Sequence, residues 1–210
     1  MDIDFKYLQH LLKEVNELRE NFKYSEISVS DYDEITYIAN KNDTRIGVQQ
    51  GLRQVLECNR RKLREKNSIR KGTLNYCKLY KKEDKLVRVE SYVKGRIDVV
   101  FIAYYKEEKR FLFPFSSIGG FYPTYSYVTH FKNEIVDEEY YADRLQIVYE
   151  RYQYSNDNTV DYDYINYAPE GTYPVLSRAN GKFILNPELQ YYGNCYSTWD
   201  EDKTIGKVKK

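Results

Sequence analysis

The chain contains no long apolar run. Nothing in its 210 residues approaches the roughly 20 uninterrupted apolar positions that a membrane-spanning helix needs, and the mean hydropathy is -0.77. It has three cysteines, Cys58, Cys77 and Cys195, too far apart for a disulfide framework or a Cys-x-x-Cys metal half-site. Reduced thiols are the expectation. Its two histidines, His10 and His130, form no spaced pair with each other or with a cysteine, so neither a metal nor a cofactor is expected. A dyad of Cys77 or Cys195 with His130 would have to assemble in space, and no family signature surrounds either cysteine. A phosphate-binding loop is missing too, because Gly119-Gly120 is not followed by Lys-Ser/Thr. The opening Met-Asp-Ile-Asp-Phe carries acids where a secretory leader carries bases, which predicts a cytoplasmic protein.

What the chain does have is tyrosine, 24 of them, clustered beside β-branched residues in the way that favours sheet. Its formal net charge of +1 hides a strong segregation. Residues 1–44 carry 5 basic against 10 acidic side chains, 45–96 carry 16 against 5, 97–170 carry 6 against 13, and 171–210 carry 6 against 4. Such blocks either pair internally or face different partners.

Phe5, Leu8, Leu11, Leu12, Val15, Leu18 and Phe22 recur at spacings of three and four, which predicts an amphipathic helix over 4–24 capped by Asp2 or Asp4. A second helical pattern runs from Arg45 to Lys66, opened by Asn42 or Asp43 and weakened by Gly47 and Gly51. Between them, Ile27–Val29 and Ile35–Ile38 read as short strands or loop. From Gly72 the period changes to two. Eight strand-like runs follow up to Tyr167, and their short polar joints, Lys94-Gly95 among them, imply sequential antiparallel pairing. The region from Pro169 is expected to be irregular, with a short strand near Phe183–Leu185. The predicted fold is α+β, with N-terminal helices over 1–71 packed by Phe5, Leu8, Leu12 and Val15 on one face of a large antiparallel meander over 72–210. The other face is left to a partner.

Tyr92-Val-Lys-Gly95-Arg-Ile-Asp98, followed by Tyr104-Tyr105, resembles the tyrosine- and glycine-punctuated hairpin repeat of bacterial MORN-like antitoxins of the YwqK type. Tyr140-Tyr141 and Tyr149, Tyr152, Tyr154 resemble further copies. Val99 stands where the repeat has a glycine, and Glu107-Glu108 where it has Asn-Gly. More loosely, the whole chain resembles the cytosolic immunity proteins encoded beside polymorphic toxins of Gram-positive bacteria. The resemblance implies a non-enzymatic protein that neutralises a cognate toxin by occlusion.

The residues themselves offer three readings. Glu138 and Glu139 are the obvious carboxylate pair for a hydrolase, but neighbours on a strand point to opposite faces and cannot share a substrate bond. Asp137 with Glu139, and Asp161 with Asp163, share a face by parity; a solvated sheet face accounts for them without catalysis. The second reading is protein recognition. Asp137, Glu138, Glu139, Asp161 and Asp163 would steer a basic toxin, with Tyr162 and Tyr164 on the opposite face of their strand as core or as a recognition platform. The alternative is an RNA- or DNA-binding module using the basic stretch Arg60, Arg61, Lys62, Arg64, Arg70 and Lys71. Bases stacking on exposed tyrosines would accompany it. The immunity reading assigns no catalytic residue.

Overall fold

A computed structural model describes residues 3–22, 31–39, 51–61, 63–116, 125–155, 158–170, 174–185 and 189–197. Two helices, α1 (Phe5–Asn21) and α2 (Leu52–Arg60), accompany β1 (Glu34–Ala39), β2 (Glu65–Lys66), β3 (Tyr76–Lys82), β4 (Lys85–Val93), β5 (Arg96–Lys106) and β6 (Lys109–Ser116). The chain continues through β7 (Tyr125–Lys132), β8 (Ile135–Asp143), β9 (Ile147–Tyr154), β10 (Thr159–Tyr167), β11 (Val175–Ile184) and β12 (Gln190–Ser197). All twelve strands form one antiparallel sheet. From β3 to β12 each strand lies beside its neighbour in the chain, and β1 and β2 extend the β3 edge.

The hairpins explain this order. Two-residue turns join β3 to β4 at Glu83-Asp84, β4 to β5 at Lys94-Gly95 and β7 to β8 at Asn133-Glu134, with both central residues of each at positive φ. That geometry matches the right-handed twist of paired strands, and asparagine followed by glycine adopts it with least strain. Glu134 sits there at φ 65 despite its Cβ. Glu134→Gly is expected to raise stability by about 0.5–1 kcal/mol, read as a higher urea midpoint at unchanged slope.

Helix α1 begins at Asp4, whose carboxylate accepts the Lys6 N–H at 2.9 Å. Its stripe of Leu8, Leu11, Leu12 and Val15 is buried against Phe111, Phe113, Val128, Tyr140, Ala142, Ile147, Tyr149 and Ile165. Burial of each such aliphatic side chain contributes about 1.5–3 kcal/mol. Phe5 departs from the expected core: it is 44% exposed and stacks on Tyr167 at the margin, while Leu11 takes the inner position.

The opposite face is not left bare. Leu52 and Leu56 of α2 pack on Tyr152, Val160, Tyr162 and Phe183, and Cys58 and Leu63 pack on a second cluster containing Ile38, Cys77, Leu79, Val89, Phe101 and Tyr127. The sheet therefore has an α1 face and an α2 face.

Two further expectations are corrected and one open reading is resolved. The helix expected over Arg45–Lys66 is, among the described residues, α2 alone, and the chain turns into β2 before Lys66; residues 40–50, with Asn42 and Asp43, lie outside the described residues, as does Ile27–Val29. The open reading of Ile35–Ile38 resolves as β1. Among the described residues after Pro169 most are sheet rather than loop, because β11 and β12 continue the meander. Gly181 and Gly193 face each other there, and a Cβ on Gly181 would lie 2.6 Å from the Tyr191 ring. They leave room for that ring rather than breaking the strands.

Candidate functional site

Register brings together on the α2 face what the sequence scatters. Arg110 of β6 lies opposite Thr129 of β7, Thr129 opposite Glu139 of β8, Glu139 opposite Glu150 of β9, and Glu150 opposite Tyr164 of β10. The row crosses five strands, and Arg110 and Glu139 are 1% and 2% exposed. A buried charge is stable only when paired and hydrogen-bonded, and each charged member of the row is hydrogen-bonded, although Glu139 and Glu150 face each other as like charges and take their partners from elsewhere. The Arg110 guanidinium donates to Thr129 Oγ1 at 2.9 Å, and Thr129 donates to Glu139 Oε1 at 3.1 Å. Glu139 Oε2 accepts the backbone N–H of Gly51 at 3.0 Å. Arg53 donates to Glu150 at 3.0 Å and lies over the Tyr164 ring, while Tyr152 donates to Glu150 at 2.5 Å.

Gly51 is the point of closest approach. A Cβ there would stand 2.8 Å from Tyr152 Cζ and 2.9 Å from Glu139 Oε2. The residue that weakens the helix by propensity is thus the one that lets the start of α2 meet the carboxylate.

Burial perturbs the ionisable members of this face. It pushes the Tyr152 phenol well above its ordinary range, helped by Glu150 and Glu139, and does the same to Tyr162, helped by Glu150. Arg110 is lowered by burial, a shift that Tyr105 and Glu139 oppose. On the α1 face, Glu138 accepts from Tyr7 at 2.7 Å and from Tyr149 at 2.8 Å, and burial together with Glu138 raises both phenols.

The sequence-derived carboxylates are therefore divided. Glu138 and Glu139 do face opposite ways. Asp137 does not share a face with Glu139, because a bulge places it beside His130 on the α1 face, at 2.5 Å. Asp161 and Asp163 share the α1 face as parity predicts: Asp161 is exposed, with Lys182 at 3.6 Å, and Asp163 is buried in a pair with Arg151 at 2.9 Å. Tyr162 is buried and Tyr164 half-buried beneath Arg53. Cys77 is buried on the α2 face and His130 belongs to the other, so that dyad is not assembled. The side chains of Cys195 and Arg60, like Lys62, lie outside the described residues.

Arg61 follows α2, Arg64 precedes β2, and Arg70 and Lys71 form the turn before β3; all four are exposed. The basic stretch is thus not one helix face. Arg53, Arg110, Thr129, Glu150 and Tyr152 escaped sequence reasoning, since only the strand register aligns them.

One end of the sheet carries the remaining exposed apolar side chains of this region. Ile135 is 49% exposed, Tyr154 40% and Tyr7 37%, and Glu108, Glu134, Asp137 and Asp161 lie around them at the ends of β5 to β10. The chain matches no protein-family model, no curated protein and no solved structure. No described helix is long and apolar enough to cross a membrane.

Proposed function

We propose that this protein is a non-enzymatic immunity protein, which binds a cognate bacterial toxin and blocks it by occlusion. The observation that carries the reading is the acidic end of the sheet, where Ile135, Tyr154 and Tyr7 stand exposed among Glu108, Glu134, Asp137 and Asp161. Lys132, in register with Ile135, and Lys182, beside Asp161, stand among these carboxylates, so the end is rich in acid without being of one sign. Exposed apolar anchors in that setting suit a protein partner with basic side chains, whose charge speeds encounter while the anchors hold the complex. Glu139, Glu150 and Asp163 are committed to internal pairs, so they support the scaffold rather than the contact. The test is co-expression with the toxin encoded beside it, scored by growth. Wild-type protein is expected to rescue the cells, and Asp161→Lys with Glu134→Lys to slow association about tenfold or more at low salt while the fold is kept. Failure of the wild-type chain to rescue growth or to co-purify with that toxin overturns the reading.

A further inference from the structure

The α1 face of β1 to β4 lies outside the footprint of α1, whose buried partners begin at Tyr104 and β6. On the part of it that neither described helix covers, Tyr76 and Tyr92 are half-buried and stack in parallel, with centroids 4.3 Å apart and planes 10° apart, and Tyr37 continues the aromatic surface 6.3 Å from Tyr76. Lys66 and Lys78 flank Tyr37 in register, and Glu90, the carboxylate between the strands, is buried as acceptor for Tyr80, Tyr92 and Arg88. Glu90 holds the ring hydroxyls inward and presents no charge outward.

The rim is basic. Gly95 N–H donates to Leu74 O at 2.7 Å and Lys94 N–H to Asn75 Oδ1 at 2.8 Å, which draws the Arg70–Lys71 turn beside the Lys94-Gly95 turn. Arg70, Lys71 and Lys94 are exposed at this end and make no ion pair among the described residues, whereas Arg96, in register with Val93, belongs to the α2 face; Asp98 is the exposed carboxylate on the adjoining stretch of β5.

We propose that this face binds single-stranded nucleic acid, with bases stacked on Tyr37, Tyr76 and Tyr92 and phosphates held by Arg70, Lys71 and Lys94 at the rim. Stacking platforms bordered by cations are how sheets hold single strands without reading sequence. The surface is separate from the acidic end argued above, so either site can fail without the other.

The test is fluorescence anisotropy of the full chain with a labelled 12-nucleotide oligo(dT) or oligo(U) over a salt series. Binding is expected at low salt, and to fall steeply as salt rises, because phosphate contacts release counterions. Arg70→Glu with Lys71→Glu and Lys94→Glu should weaken it at least tenfold and flatten the salt slope, with an unchanged urea midpoint. Tyr76→Leu, which keeps an apolar residue in the stack, should weaken it about fivefold or more with little effect on the salt slope. No binding at low salt, or binding indifferent to these substitutions, overturns the proposal. Equal affinity for poly-glutamate also overturns it, since the face would then serve an acidic protein segment.

Discussion

Above pH 10 the protein is expected to unfold abruptly, with tyrosine ionisation and loss of sheet in one transition. Tyr140, Tyr149, Tyr152 and Tyr162 all have phenols raised by burial first and by neighbouring carboxylates next. In the unfolded chain such groups lose their protons near pH 10. A folded state that keeps those protons is fully stabilised below pH 10 and loses that stabilisation as pH rises beyond it. Four groups at about 1.4 kcal/mol each per pH unit give a slope of roughly 5 kcal/mol per unit, against a total stability of about 5–15 kcal/mol for an ordinary domain. The last part of the tyrosinate absorbance and the circular dichroism should therefore change together within about one to three units. Full tyrosinate absorbance with the sheet intact would show these phenols to be open to water.

Glu139→Ala is expected to cost about 3–5 kcal/mol, the usual result of removing one member of a buried charged set. It strips Thr129 and the Gly51 N–H of their acceptor and leaves Arg110 buried without its counter-charge. Replacing the set together, with Arg110→Met, Thr129→Val and Glu139→Met, should recover most of the loss, because the charges then need no compensation. Urea unfolding of the two variants decides the matter. A loss below about 1 kcal/mol in Glu139→Ala would mean that water replaces the carboxylate.

Much of the sheet could be read from the chain because period-two alternation is a local signal: Leu86 to Val93 and Val160 to Tyr167 announce strands without reference to anything distant. Helix α1 was legible for the same reason, through its three- and four-residue spacings. The site was not. Nothing near Arg110 in the sequence points to Glu139, and nothing near Gly51 points to Tyr152; they meet only after four strands are paired in register. The bulge at Asp137 defeated parity, since one extra residue turns the strand over. The glycines of β11 and β12 read as breakers because only the pairing of the two strands sets Gly181 opposite Gly193 and brings the Tyr191 ring over both.

From β3 to β12 each strand bonds only to the one before it and the one after it, so this part of the sheet behaves as a linear array with nearest-neighbour coupling. Opening in such an array starts at its ends and moves inward, and the two helices span its middle on opposite faces like cross-ties. Among the described residues, the β1 to β4 end lies beyond α1 on that face. A ligand seated there would close the free end and add its binding energy to the least protected strands.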